Sequence, residues 1–123
     1  MLWGLWWLSI RGSWMPACPW CKPPSLPWAG KGWHFGGWSI WEKATEILGG
    51  RRIWVDTSSS LYSISPETAR RLIDAYGVDH VLFGSDFPMW KPKEELERFM
   101  KIPLTNEERE KILWKNAAEL LRL

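Results

Sequence analysis

Three polar residues, His34, Asp56 and Asp86, each lie where a short apolar or aromatic stretch ends. Asp86 is the clearest case, because the apolar run 81–83 precedes it and Pro88 prevents the strand from continuing. In parallel α/β sheets and barrels, the loops that leave the carboxyl ends of the strands assemble the functional site. The pattern therefore makes Asp86 the first functional candidate. The alternatives are a turn-capping acid at Asp86 and an ordinary loop or core histidine at His34.

The residues around these positions predict the order helix, strand, helix, strand, helix, helix. The first helix is predicted to begin at a capping box, Ser39 with Glu42, and to end at Gly49-Gly50. A buried strand is predicted over residues 53–57, followed by the polar loop 58–60. The predicted strand and the loop after it place Asp56 near the end of its strand.

The later helices carry the usual start and stop signals. A serine followed by proline predicts the second helix, and a glycine ends it. Prolines bound the third helix, and a second capping box opens an amphipathic final helix. These signals lie at Ser65-Pro66, Gly77, Pro92, Pro103 and Thr105 with Glu108.

Alternation of this kind predicts an α/β fold with a parallel sheet. Residues 33–37 precede the first predicted helix as a strand end precedes its helix, which adds a further strand. His34, Asp56 and Asp86 then occupy equivalent places on three successive strands. Such a unit is either a small open α/β domain or a segment of a barrel.

The 123 residues suit one domain, but their composition divides near residues 30–32. Six of the twelve tryptophans and five of the nine prolines fall in the first 30 residues, which contain no acidic residue. We therefore predict an irregular Trp/Pro-rich leader over residues 1–30 and a patterned domain over residues 31–123. Cys18 and Cys21 have the C-x-x-C spacing of redox and zinc sites, but the prolines around them favour two incidental thiols.

The small net charge of +2 predicts no nucleic-acid partner. The apolar run of ten residues at the start is too short to span a bilayer, which takes about 20 residues. It lacks the positively charged start of a secretory signal, and no basic amphipathic face supports anchoring at a membrane surface. The default expectation is a cytoplasmic chain without a membrane partner.

Four patches together resemble the amidohydrolase-related, or amidohydrolase 2, family of metal-dependent hydrolases, which also includes decarboxylases. The likeness covers roughly residues 33–123, the C-terminal part of that family. The patches are His34-Phe-Gly-Gly-Trp38, Trp54-Val-Asp-Thr-Ser58, Val81-Leu-Phe-Gly-Ser-Asp-Phe-Pro88 and Leu104-Thr-x-x-Glu-Arg-x-x-Ile112 with Asn116-Ala117 and Leu120-Leu121.

The resemblance implies the last three βα units of a (β/α)₈ TIM-type barrel with a divalent metal, commonly zinc. It implies that His34 lies beside the metal-bound water and that Asp86 binds the metal or takes a proton from that water. It implies a structural role for Asp56 at its strand end. A metal lowers the pKa of its bound water towards about 7, which makes the water nucleophilic. The expected activity is hydrolysis of a small molecule, or decarboxylation as the alternative.

The departures from the family pattern limit these expectations. A complete barrel needs about 250 residues, and the family's His-x-His and strand-five histidine have no counterpart among the two histidines here, His34 and His80. His80 lies at the start of its strand and is expected to be a surface residue. Residues 1–30 show no likeness to the family, as a foreign or mistranslated leader would. A non-catalytic remnant that self-associates through exposed strand edges is the other interpretation.

Overall fold

The computed structural model describes residues 31–32 and 34–123, with side chains from His34 onward. The predicted leader of residues 1–30 lies outside the described residues. A 3₁₀ turn (Val78–His80) leads into the last strand, and a π-helical stretch (Lys111–Lys115) joins the last two helices. The regular elements are β1 (Lys31–Gly32), α1 (Trp41–Leu48), β2 (Trp54–Asp56), α2 (Pro66–Tyr76), β3 (Val81–Leu82), α3 (Pro92–Phe99), α4 (Asn106–Glu110) and α5 (Asn116–Leu121).

The strands form one sheet in the order β1-β2-β3. β2 and β3 run parallel, with Val55 opposite Val81. The pairing continues beyond β2, because the Thr57 N–H donates to the Leu82 carbonyl at 3.0 Å. This parallel pairing confirms the predicted α/β arrangement and brings the carboxyl ends of β2 and β3 to the same edge.

Most buried apolar side chains of residues 34–123 form one cluster, as expected for a single core. α2 buries one face on the cluster and begins as predicted, since Ser65 Oγ accepts from the Thr68 N–H at 3.1 Å. The second predicted capping box is also confirmed, with reciprocal bonds between Thr105 and Glu108. Members of the cluster include Phe35, Ile53, Val55, Leu61, Leu72, Ile73, Val81, Phe99, Ile102 and Ile112.

The first predicted capping box is wrong. Ser39 has a left-handed backbone (φ 64°), and α1 begins at Trp41 without a side-chain cap. Ser39 belongs to a turn that starts at His34, and this turn fixes its backbone outside the extended conformation of an N-cap residue. Among the described residues, no helix is long and apolar enough to cross a membrane.

The outer edge of β3 is bonded to the C-terminal helical segment. The Phe83 N–H donates to the Ile112 carbonyl at 2.9 Å, and Asn116 Nδ2 donates to the carbonyls of Val78 and Val81 at 2.7 and 2.8 Å. Asn116 is only 2% exposed. The edge of β3 therefore has bonding partners in the final helical segment, whereas self-association through exposed strand edges stays a prediction.

We predict that Asn116→Ala lowers the free energy of unfolding by about 2–3 kcal/mol, because two buried carbonyls lose their donor. The measurement is urea unfolding followed by circular dichroism. Asn106→Ala is the matched control, since Asn106 is exposed and makes one long contact of 3.5 Å with Arg109. Equal losses in the two variants would contradict the role of Asn116 at the sheet edge.

Candidate functional site

Asp56 is the centre of the hydrogen bonding at the carboxyl end of the sheet. Its Oδ1 accepts from the backbone N–H of His34 at 3.0 Å, from the N–H of Ser58 at 3.1 Å and from Ser58 Oγ at 2.5 Å. Burial raises the pKa of the Asp56 carboxyl, and the bonds from Ser58 and His34 act in the opposite direction. The carboxylate therefore joins the His34 turn to the loop after β2.

His34 is oriented by the same loop. Its Nδ1 lies 2.7 Å from the Ser58 carbonyl and 3.2 Å from Ser58 Oγ. Because a carbonyl can only accept, Nδ1 carries the proton in this contact, and a neutral ring then has its lone pair on Nε2. Among the described residues Nε2 has no hydrogen-bond partner, so it is the atom available to a substrate or metal.

The turn that carries His34 is fixed from its other side by α2. Tyr76 donates its hydroxyl to the Phe35 carbonyl at 2.8 Å, and burial raises the pKa of Tyr76 to about 12. Gly36 (φ 82°) lies against this hydroxyl, since a Cβ there would be 2.5 Å from it. A side chain at Gly36 would displace the tyrosine and the His34 turn with it.

Asp86 is hydrogen-bonded to Ser59, which follows Ser58 in the loop after β2. Ser59 Oγ donates to Asp86 Oδ2 at 2.5 Å, and the indole N–H of Trp90 donates to Ser59 Oγ at 3.0 Å. His34 therefore contacts Ser58 and Asp86 contacts Ser59. The structure brings the two predicted site residues to consecutive positions of one loop.

Left-handed backbone is concentrated at this end of the sheet. The φ angles are 53° at His34, 47° at Ser59 and 55° at Asp86. Such conformations cost about 1–3 kcal/mol at non-glycine residues and persist where the surroundings enforce them. Phe35 and Ser39, in the same turn as His34, share this backbone with φ angles of 52° and 64°, so these conformations belong to the turn before α1 and to the loops after β2 and β3.

Tryptophans support the loop after β2. Trp90 donates to Ser59, Trp41 donates its indole N–H to Ser60 Oγ at 3.1 Å, and Trp38 donates to the Tyr62 hydroxyl at 3.2 Å. Residues 57–60 are all buried. Buried hydroxyl groups need partners, and the indoles of Trp90 and Trp41 supply donors to Ser59 and Ser60.

His34 and Asp86 offer the kinds of atom that bind a divalent metal, but they are fewer than a catalytic site needs. Asp86 Oδ1 has no hydrogen-bond partner within residues 34–123, and a carboxylate oxygen with an imidazole nitrogen suits zinc or manganese. A catalytic zinc site uses three protein ligands. Residues 34–123 contain no group of three or more histidine, cysteine, aspartate or glutamate side chains that could hold a metal.

Parallel strands define this chain as an α/β protein, a class in which functional sites usually lie at the carboxyl ends of the strands. The amidohydrolase 2 family model, described as Amidohydrolase, matches residues 11–123. The match covers well over half of the chain, which therefore belongs to the amidohydrolase family. It begins 22 residues before the predicted likeness at residue 33, so the expectation that all of residues 1–30 are unlike the family was too broad.

Solved structures share the fold over part of their length. A dihydroxybenzoic acid decarboxylase from a Polaromonas species, with bound manganese and 2-nitroresorcinol, has a TM-score of 0.61 at 21% identity and covers 79% of this chain and 35% of that chain. 2,6-Dihydroxybenzoate decarboxylase from Rhizobium has a TM-score of 0.61 at 18% identity and covers 78% of this chain and 35% of that chain. A Pseudomonas putida protein provisionally assigned as 2-pyrone-4,6-dicarboxylic acid hydrolase has a TM-score of 0.58 at 19% identity and covers 78% of this chain and 44% of that chain.

This chain thus spans about a third to less than half of these barrel proteins. The likeness defines an α/β chain similar to part of an amidohydrolase barrel. The search of curated proteins finds no significant match.

Sequence reasoning identified the strand-end positions but missed Ser58, Ser59 and Trp90. The signal available was the run of serines directly after a strand that ends in aspartate. Serines buried at that place need acceptors and donors, which the neighbouring acids and indoles provide. The sequence did not show which indole would reach which serine.

We predict that Asp56→Ala lowers the free energy of unfolding by about 3 kcal/mol, because three donors lose their acceptor, whereas Asp56→Asn costs about 1 kcal/mol or less. Asparagine keeps Oδ1, the only oxygen of Asp56 that accepts these bonds. Urea unfolding of the two variants measures the difference. Equal losses would show that the charge, rather than the acceptor, supports the loop.

The pH dependence gives a second measurement on the same variants. The raised pKa means that the folded chain holds the Asp56 proton more tightly than the unfolded chain. Stability from this group is present below pH 3.8, the ordinary pKa of an aspartate, and falls as the pH rises through the folded pKa. Asp56→Asn should lose this fall, and the exposed Asp74→Asn should keep it.

Proposed function

We propose that this chain forms the last three βα units of a metal-dependent amidohydrolase barrel and contributes His34 and Asp86 to its site. The observation that carries the proposal is the placement of both side chains on consecutive residues, Ser58 and Ser59, of one buried loop. Family membership and the sheet-end position support it.

In this proposal Asp86 Oδ1 holds the metal or accepts a proton from water, and His34 Nε2 lies beside that water and accepts a proton. A bound divalent ion would lower the pKa of its water towards about 7 and make it nucleophilic at neutral pH. Zinc is the metal that the family resemblance implies, whereas the similar Polaromonas decarboxylase contains manganese. Phe87 and Met89, 65% and 53% exposed, place apolar side chains beside Asp86 for a small organic substrate.

Hydrolysis is the first candidate reaction, and non-oxidative decarboxylation is the second. The second is supported by the decarboxylases among the proteins of similar fold. A third candidate is a non-catalytic interaction module. It is supported by the ligand set of residues 34–123, in which His34 and Asp86 supply two donors where catalytic zinc sites use three.

We predict that Mn²⁺ bound by the full chain is held through Asp86, so that Asp86→Asn weakens binding at least about tenfold, since even outer-shell changes cost 10- to 100-fold. Electron paramagnetic resonance of free Mn²⁺ during titration measures the affinity. Asp79→Asn is the matched control, because Asp79 is an exposed acid paired with Lys111. Undiminished binding in Asp86→Asn would remove Asp86 from the metal site.

Turnover separates the three candidates. The metal-loaded chain is assayed on simple esters, lactones and aromatic carboxylic acids. Ester or lactone cleavage that His34→Ala and Asp86→Asn abolish supports the hydrolase, and carbon dioxide release supports the decarboxylase. Mn²⁺ binding without either reaction supports the non-catalytic module.

A further inference from the structure

We propose that Ser59 and Trp90 are positioning residues for Asp86, which hold one oxygen of its carboxylate and leave the other to the site. The value of this arrangement rests on the proposed function of Asp86. The contacts that carry it involve protein atoms alone and are testable without a metal.

The direction of the hydrogen bonds follows from the chemistry of the three groups. The Trp90 indole N–H can only donate, so Ser59 Oγ is its acceptor at 3.0 Å. The carboxylate of Asp86 can only accept, so the single hydroxyl proton of Ser59 points to Oδ2 at 2.5 Å. A hydrogen bond to a charged acceptor is stronger than one between neutral groups. The bond from Ser59 to the Asp86 carboxylate therefore also polarises the bond from Trp90 to Ser59. Trp90 and Ser59 therefore act as one unit on Asp86.

Two side chains contact the ring of Trp90. Tyr62 stacks on it with ring centroids 4.4 Å apart, and the Arg98 guanidinium lies 5.6 Å from the ring centroid. Arg98 is in turn paired with Glu95, which is fully buried. A ring fixed in this way aims its N–H at Ser59 in one direction only.

The result is a carboxylate with two unequal oxygens. Oδ2 is committed to Ser59, and Oδ1 has no hydrogen-bond partner among residues 34–123. The left-handed backbone at Ser59 and Asp86 (φ 47° and 55°) brings the two side chains together despite its cost. Asp86 would then meet a metal or a water through one defined atom.

Trp41 provides an internal comparison. Its indole N–H also donates to a serine, Ser60, at 3.1 Å, but the Ser60 hydroxyl donates to the Ser58 carbonyl rather than to a carboxylate. Both indoles donate to a serine hydroxyl, but the serine bonded to Trp90 donates to a carboxylate, whereas the serine bonded to Trp41 donates to a backbone carbonyl. Only the bond of Trp90 should respond to the charge of Asp86.

The test is the ¹⁵N–¹H spectrum of the tryptophan indoles in the metal-free full chain, assigned with Trp90→Phe and Trp41→Phe. Asp86→Asn removes the charge and should move the Trp90 indole proton upfield while the Trp41 indole stays in place. Ser59→Gly removes the hydroxyl and relieves the left-handed backbone. It should raise solvent exchange of the Trp90 indole proton about fivefold, the factor expected for an ordinary hydrogen bond.

An unchanged Trp90 resonance in Asp86→Asn, or equal shifts of both indoles, would overturn the proposal. If Asp86→Asn does not fold, the same coupling is observed from the other end: Trp90→Phe should move the carboxyl ¹³C resonance of Asp86, and Trp41→Phe should not. Failure to bind Mn²⁺ would remove the metal role of Asp86 and leave these spectra unaffected. The two failures are therefore distinguishable.

Discussion

The buried carboxylate of Asp56 is the constraint on which the site depends. Burial disfavours the charged form of this carboxyl and raises its pKa, and the three donors that converge on its Oδ1 offset part of that cost. Those donors come from the turn before α1 and the loop after β2, so their bonds to Asp56 fix both segments. Gly84 completes the arrangement, since a Cβ there would lie 3.1 Å from the Ser58 Cβ. The end of β3 can therefore pass close to the loop and bring Asp86 towards Ser59.

Strain and hydrogen bonding are coupled at this edge of the sheet. Left-handed backbone at His34, Ser59 and Asp86 is unfavourable by itself. Each of these residues is held by a bond to a partner on another segment: His34 to Asp56 and Ser58, Ser59 to Trp90, and Asp86 to Ser59. The rigid sheet and the core beneath it allow this, because loops carry function when a scaffold positions them.

Local signals predicted much of the fold, because periodicity and caps act over a few residues. The cap at Ser65 and the box at Thr105 were confirmed, whereas the box at Ser39 failed where a turn fixed the backbone differently. The π-helical stretch and the contacts of Asn116 had no sequence signal, since they depend on how the final helix meets β3. Strand-end spacing suggested His34 and Asp86 as candidates, but their link through Ser58 and Ser59 arises only from tertiary packing.

The final helical segment supplies hydrogen-bond partners to the sheet edge at β3. In a π-helical stretch the backbone bonds are shifted, and here the Ile112 carbonyl accepts from Phe83 while Asn116 bonds the Val81 carbonyl. A strand added along β3 would exchange these bonds for new ones rather than satisfy free groups. Edge pairing at β3 therefore offers little net gain in hydrogen bonding. In the proposed function, ligands that complete a metal site with Asp86 would instead approach over the carboxyl ends of the strands.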